Sequence, residues 1–406
     1  MKVLYISYDG MTDPLGQSQV IPYLTGLSKK NKITIISCEK KERYEKQKNT
    51  IQDILNAHDI EWIPVSYSTL PSILSKQWNI FRLKKKAVLF CKTHHPHIVH
   101  CRSYMAALIG LSLKKKFNTR FIFDMRGFWA DERIEGNIWS KKKYIHRLLY
   151  EYFKKKEIEF LRNADFTISL TENARKEILS WEQLQNQSVP IEVIPCCADL
   201  EHFSLATIHE QEKGKLRKKL NISENDLIIS YLGSTGTWYM LDEMLDFFSC
   251  VTAAFHSAKF LFITPDDGKP IIEKAIAKGI KQEQLIITFA SRSEVPLYLS
   301  LSAISIYFIR PSYSKRASSP TKTAEILGLG IPIITNPGIG DSSDIIENSG
   351  TGLIVTAFQK EIYTEIIKQF SLLLSIDKKK MITVSRQHFS IERGIELYQS
   401  VYTKVK

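Results

Sequence analysis

Short apolar runs alternate with longer segments of helical period along most of the chain. Residues 3–8, 33–38, 61–65, 98–101, 121–124, 166–170 and 191–194 read as strands that are apolar on both faces. Amphipathic stretches such as 19–30 and 103–116 lie between them. Strands of that kind, each followed by a helix, predict a parallel sheet covered on both sides. A polar stretch at 206–219 interrupts the pattern, which then resumes with strands at 227–231, 260–264, 285–289, 304–309, 331–335 and 353–355. The expectation is an α/β chain of two doubly wound domains in tandem, joined near 197–203. In such sheets ligands bind beyond the carboxyl ends of the strands, so the loops there are the places to look for chemistry.

The loop after the first strand, Asp9 to Ser18, contains Gly16, which lets backbone come close to a ligand. The helix start behind it offers N–H groups to an anion. It lacks the G-x-G-x-x-G spacing of a dinucleotide site. The loop after the fifth strand, Phe123 to Arg133, crowds Arg126, Phe128, Trp129, Asp131 and Glu132 beside Gly127, a mixture suited to a sugar. In the second domain Gly233, Ser234, Thr235 and Gly236 can form a backbone nest for phosphate, although no Gly-Lys-Ser/Thr closes it as a P-loop.

The most informative stretch runs from Phe308 to Pro332. Ser319 fits a helix N-cap and Pro320 the first helical position. Lys322 in the first turn can neutralise a phosphate, and Glu325, three residues on, suits the two hydroxyls of a ribose. Together they describe a nucleoside-diphosphate site. A capped helix with a surface Lys–Glu pair is the plainer reading of the same residues.

Composition narrows the class. The 406 residues are 44% apolar and 24% charged, as in an ordinary globular protein. The formal net charge is +13, and it is uneven. Residues 1–200 hold 32 basic and 21 acidic side chains, residues 201–406 hold 24 and 22, and the interval 66–156 alone holds 20 and 5. Anionic partners are implied: nucleotide, nucleic acid or an acidic membrane surface. Lys84, Lys85 and Lys86 beside Trp78 and Phe81 suit docking on anionic lipid. In 141–156 the spacing of Ile145, Leu148, Leu149, Tyr152 and Phe153 predicts a core-facing helix stripe with a lysine rim. His94, His95, His97 and His100 lack the acidic or cysteine partners of a metal site. Six cysteines without C-x-x-C spacing suit reduced thiols. The start of the chain has no secretory h-region and no apolar run is long enough to span a membrane, so the expectation is a cytoplasmic protein, compatible with a peripheral position on the inner face of the cell membrane.

Taken in order, these motifs resemble the two-domain glycosyltransferases of the GT-B type, and more closely the retaining family 4-like members (glycosyl transferases group 1). The resemblance rests on Asp13-Pro14-Leu15-Gly16-Gln17, on Asp124 to Glu132, on Ala164-Asp165 with Ser169, on Val193 to Phe203, and on Ser319-Pro320-Thr321-Lys322 with Glu325. It implies a GT-B fold, two Rossmann-like domains facing each other across a cleft. Residues 1–198 would bind the acceptor and 199–387 the nucleotide-sugar donor, with a last helix at 388–406 returning to the first domain. It implies transfer of a sugar from a nucleotide diphosphate to an acceptor hydroxyl with retention, in cell-surface polysaccharide or glycolipid synthesis, with a lipid-linked or glycan acceptor. No cofactor and no metal would be required. Arg126, Asp131 and Lys322 would be catalytic. Gly16, Gly233, Ser234, Thr235, Arg310, Arg316, Lys322 and Glu325 would bind donor, and Arg126, Trp129, Asp131 and Glu132 acceptor.

The chain also departs from the family pattern. Ala317 stands where a first glutamate is usual, Ser234 and Tyr239 replace an arginine and a lysine, Cys196-Cys197 replaces Asn-Gly, and Arg126 replaces a histidine. The cation for the diphosphate is then to be found among Lys322, Arg310, Arg316 and Arg292. Two alternatives stay open: a sugar-nucleotide epimerase of the same architecture, which would need no acceptor, and a basic nucleic-acid-binding protein, suggested by charge alone and unsupported by any helix-turn-helix, RNP or zinc pattern.

Overall fold

The computed structural model describes residues 1–69 and 72–406. The chain divides into two compact units. The first comprises Met1–Cys196, Tyr313–Ser318 and Ile391–Lys406, and the second Cys197–Ser312 and Ser319–Ser390.

The first unit is built on a seven-stranded sheet. Its strands are β1 (Lys2–Ser7), β2 (Lys32–Glu39), β3 (Glu61–Ser66), β4 (Ile98–Arg102), β5 (Arg120–Asp124), β6 (Phe166–Ser169) and β7 (Ile191–Val193), in the order β3-β2-β1-β4-β5-β6-β7. All pairings are parallel; Tyr5 of β1, for example, lies between Ile35 and His100. The order reverses at β1 and β4, which makes their carboxyl ends the ligand-binding end. Val3, Leu4, Ile6, Ile33, Ile35, Ile36, Val99, Phe121 and Phe123 are all almost fully buried, as strands covered on both faces require.

The second unit has six parallel strands: β8 (Leu227–Leu232), β9 (Ala258–Ile263), β10 (Leu285–Thr288), β11 (Ile304–Ile306), β12 (Ile333–Thr335) and β13 (Gly352–Ile354). Their order is β10-β9-β8-β11-β12-β13, reversing at β8 and β11. Each unit has its own apolar core.

All thirteen expected strands are present, with ends shifted by one or two residues in most cases and by three at the end of β11. Other expectations need correction. The expected helix at 19–30 is two helices, Pro14–Gln19 and Ile21–Ser28, broken at Val20 (φ −129°) just before Pro22. The polar stretch at 206–219 contains a helix, Glu210–Lys219, that buries only Leu216 and so has almost no apolar stripe to betray it. The division falls at Cys196/Cys197, not after Ala198, and the returning segment begins at Ile391, not 388.

Tyr313–Ser318 is the largest departure, because it groups with the first unit. Glu135 accepts from the N–H groups of Tyr313 and Ser314 (3.1 and 3.0 Å), the Lys315 ammonium reaches Glu132 (2.7 Å), and the Tyr313 ring stacks on Phe128 (5.0 Å).

The helix Tyr144–Asn163 also differs from its expected packing. Its buried residues are Phe153, Glu157, Phe160 and Leu161, whereas Ile145, Leu148 and Tyr152 are exposed. The apolar stripe of its first half therefore faces solvent. Among the described residues no helix is long and apolar enough to cross a membrane.

Candidate active site

The second unit carries the more open chemistry. Pro320 occupies the cap position of the helix Thr321–Gly328, one residue later in the role than the spacing suggested, and no side chain caps the helix. Lys322, Thr323, Ala324 and Glu325 are all buried. Thr323 Oγ1 and Tyr307 Oη are 2.7 Å apart, and Ser385 donates to the Ala324 carbonyl (2.9 Å), so the first turn is fixed from two sides.

Among the described residues Lys322 Nζ has no hydrogen-bond partner. It lies 3.8 Å from the ring centre of Tyr239, 4.5 Å from Tyr231 and 5.7 Å from Tyr307. Burial brings its pKa down to about 7, with Glu325 pulling the other way. Glu325 is raised by burial, against Arg292, Lys322 and His202. Arg292 Nη1 stands 3.7 Å from its carboxylate, and the Arg292 carbonyl contacts His202 Nε2 at 3.0 Å. Arg292 thus faces the carboxylate while remaining half exposed.

The loop after β8 bends at Gly233 (φ +119°), where a Cβ would meet Lys322 Nζ at 3.1 Å. The Ser234 carbonyl accepts from the Tyr231 hydroxyl, and Asp266 takes both the N–H and the hydroxyl of Thr235 (2.5 and 2.9 Å). The expected nest is therefore filled at Thr235 by the protein's own carboxylate. Arg310 lies over the Trp238 ring (5.0 Å) and its N–H donates to the Trp238 carbonyl (2.9 Å). A cavity of about 510 Å³ opens past the carboxyl ends of β9 and β10, lined by Thr264, Pro265, Asp266, Asp267, Lys269 and Phe289.

In the first unit the expected site residues are mostly spent on one another. Asp131 accepts from Tyr150 (2.8 Å) and Lys154 (2.9 Å), and Lys154 also reaches the fully buried Glu157. Glu132 is taken by Lys315, and Arg316 pairs with Glu177 (2.8 Å). The Trp129 ring stacks on Tyr104 (5.7 Å), meets Trp139 and Phe153 edge-on, and lies under the Arg133 guanidinium (4.8 Å). The open ring face needed for stacking on a sugar is covered. Trp129, Asp131, Glu132 and Arg316 each have partners within their own unit, and the Glu132 and Arg316 pairs each have an exposed member, the kind of pair that contributes little to stability.

Gly16 also differs from its expected role. A Cβ there would stand 2.2 Å from the Gly10 carbonyl oxygen and 2.7 Å from Met11 Cα, so the residue serves a backbone–backbone contact. The N–H groups of Met11 and Thr12 go to the buried carboxylate of Glu39 (2.7 and 3.2 Å), which also accepts from the Thr12 hydroxyl (2.6 Å). The anion at this loop is built in. Glu39 was missed in the sequence; its signal is an acidic residue ending an otherwise apolar strand.

Arg126 has a left-handed backbone (φ +57°) and a buried guanidinium that donates to Cys196 Sγ (3.2 Å). Around it lies a buried cluster of charged groups that approach one another, although His100 Nε2, Arg102 Nη1, Arg126 Nη1 and Asp124 Oδ1 make no hydrogen bond among the described residues. His100, Arg102 and Arg126 approach the Asp124 carboxylate to 3.6, 3.9 and 3.8 Å. Tyr398 donates to Asp124 (3.2 Å), and Tyr402 Oη lies 2.8 Å from His100 Nδ1. Burial works to raise the Asp124 carboxyl, but Arg126, His100 and Arg102 outweigh it and hold it below its ordinary value. Burial lowers His100.

Two family models match the chain. Glycosyltransferase Family 4 matches residues 24–202, and glycosyl transferases group 1 matches residues 212–387. The chain belongs to the family 4-like, group 1 glycosyltransferases. No curated protein is similar to this glycosyltransferase in sequence.

Solved structures agree in fold. A glycosyltransferase from Rickettsia africae is 15% identical with a TM-score of 0.71, over 100% of this chain and 98% of its own. Sucrose-phosphate synthase from Thermosynechococcus elongatus is 13% identical with a TM-score of 0.72, over 100% and 99%. Anabaena HepE, in complex with UDP and glucose, is 11% identical with a TM-score of 0.68, over 99% of each chain. The glycosyltransferase therefore has the two-domain, Rossmann-like GT-B fold.

Proposed function

We propose that this glycosyltransferase moves a sugar from a nucleoside-diphosphate sugar to an acceptor hydroxyl with retention, without a metal, in the synthesis of a surface polysaccharide or glycolipid. The observation that carries the donor assignment is the buried Lys322 ammonium, without a hydrogen-bond partner among the described residues, one helical turn from Glu325 at the carboxyl end of the second sheet. An unpaired buried cation is costly unless a ligand supplies its anion. The diphosphate fits that requirement, with Lys322 and Arg310 as its cations, and Glu325 suits the ribose hydroxyls. The cavity beside Asp266 and Phe289 suits the base. Binding of UDP by HepE supports the class of donor.

In this reading the bond between the anomeric carbon and the diphosphate oxygen breaks, and the acceptor oxygen bonds to that carbon from the same face. The acceptor proton passes to the departing phosphate. Fixed cations stabilise the charge that develops on the leaving group. In the first unit Arg126 is a candidate for contact with sugar or acceptor. Its left-handed backbone lies directly past β5, and Asp124 and Cys196 hold its guanidinium.

A thermal-shift panel of UDP-, GDP-, ADP- and CMP-sugars, with and without EDTA, tests the donor and metal assignments. A ligand at about 100 times its dissociation constant adds roughly 2.7 kcal/mol. Loss of the shift with EDTA overturns metal independence. NMR of donor incubated alone must show no epimer, and the anomeric configuration of the product decides retention.

Contact with an anionic membrane through the first unit is part of the same reading. Trp78 and Phe81 are exposed and stacked at 5.6 Å on a helix that also carries Lys84, Lys85 and Lys86. Exposed Ile145, Leu148 and Tyr152 stand among lysines on the helix Tyr144–Asn163. Sedimentation with anionic vesicles, abolished by changing Lys84, Lys85 and Lys86 to glutamate, is the expected result. Equal sedimentation of wild type and variant with neutral vesicles refutes it.

A further inference from the structure

A buried ammonium normally answers to a carboxylate or to carbonyl oxygens. Among the described residues Lys322 does neither, and it is only 8% exposed. Its surroundings are aromatic. Tyr231 comes from β8, Tyr239 from the loop after it and Tyr307 from the residue after β11, so three parts of the second unit each turn a ring toward one nitrogen.

The rings are held in place. The Tyr231 hydroxyl is bonded to the Ser234 carbonyl, and that of Tyr307 to Thr323. Tyr239 pairs with Ile309 in an antiparallel bridge, and the next N–H, that of Met240, donates to the Phe308 carbonyl (2.9 Å). The Tyr239 and Tyr231 rings meet edge to face at 5.7 Å. Tyr239 gives the shortest of the three contacts.

We propose that Tyr239 is a positioning residue for the donor diphosphate: with Tyr231 and Tyr307 it walls the Lys322 ammonium with ring faces that hold its positive charge and leave its three N–H donors for phosphate oxygens. The inference rests on the donor reading above. Ring quadrupoles attract a cation without consuming its hydrogens, and more strongly where the contact is desolvated. A second lysine in place of Tyr239 would repel Lys322; the ring supports it. The groups that face Lys322 are few. Tyr231, Tyr239 and Tyr307 surround it, Glu325 lies on its own helix, Asp266 acts on Tyr231, and Arg292 and His202 act on Glu325. Burial opposes the charge and the rings oppose burial.

The test is titration calorimetry with whichever of UDP, GDP and ADP shifts the wild-type melting temperature most, at pH 6, 7 and 8. Tyr239→Leu should bind about tenfold more weakly at pH 7. Its affinity should fall with rising pH earlier than that of wild type, because without the ring Lys322 gives up its proton at lower pH. Tyr239→Phe keeps the ring and should return affinity to within about twofold and restore the wild-type pH profile. Lys322→Met should bind weakly at every pH. If Tyr239→Leu does not fold, Tyr239→Met, closer in length, takes its place. A Leu variant that binds like Tyr239→Phe, or one weakened equally at all three pH values, overturns the role of Tyr239 while loss in Lys322→Met keeps the donor site. A wild-type protein stabilised by none of the three nucleotides overturns the donor reading, and this inference with it.

Discussion

The two units bury charge in opposite ways. In the first, Asp124 is surrounded by Arg102, Arg126 and His100, while Asp131, Lys154 and Glu157 form a second group. In the second, Lys322 sits among rings with no hydrogen-bonding anion among the described residues. Charges that are spent on one another hold a loop in place. A charge left without a partner is a cost to the fold, and it is where a ligand of opposite sign gains most. The contrast separates scaffold from site more sharply than residue type does, since both regions are rich in the same acids and bases.

The strongest way to break the comparison is to unbalance the Asp124 cluster. Asp124→Ala leaves Arg102 and Arg126 buried with no carboxylate and should destabilise the protein by roughly 3–5 kcal/mol, read as a lowered urea midpoint. A midpoint near wild type would mean that the Asp124 carboxylate does not offset the buried guanidinium groups. Next is Lys322→Met. It should weaken nucleoside-diphosphate binding by about 1.5–3 kcal/mol, as for hydrogen bonds to a charged group, yet leave the melting temperature unchanged or higher. A large loss of stability would place Lys322 with the scaffold. Glu325→Ala should cost roughly 1–3 kcal/mol in nucleotide-sugar affinity by calorimetry, through ribose hydroxyls left unpaired. Unchanged affinity removes Glu325 from the site.

The smallest effect is in the pH dependence of stability, which rises with pH for both groups but in different windows, acidic for Asp124 and neutral to alkaline for Lys322. Asp124 is held below its unfolded value, so its contribution is present above the unfolded carboxylate range and lost as pH falls through the lowered folded value. Lys322 is held near 7, below its unfolded value, so between about pH 7 and the ordinary lysine range the unfolded chain binds the extra proton. Stability from that group rises with pH across that window. The difference between wild type and Lys322→Met, followed by thermal melts from pH 6 to 9, isolates it. A flat difference removes the buried titration.

Much of the fold was legible because parallel core strands are continuous apolar runs, which loops and surface helices are not. Glu210–Lys219 escaped because nearly every side chain on it is polar, so no stripe marks it. The site was legible in part. Lys322 and Glu325 stand out because helix-start chemistry and a three-residue spacing are local. Whether Glu132 and Arg316 are available is not local: Glu132 meets Lys315, 183 residues away, and Arg316 meets Glu177, 139 residues away. Tyr239 showed only as a departure from the family pattern, since a tyrosine in a loop has no period and a ring's value to a cation exists only once β8, the loop after it and the end of β11 converge.

The first unit combines Met1–Cys196 with Ile391–Lys406, and its helix Ile391–Lys404 brings Tyr398 and Tyr402 to Asp124 and His100. On the ribosome the order of completion is therefore inverted. The unit that emerges first waits for Tyr398 and Tyr402 to be made before its buried cluster is complete, at about 5–20 residues per second. The second unit has its whole sheet beforehand. A chain stopped short of Tyr398 would leave the earlier-made half, not the later one, with an open and charged interior.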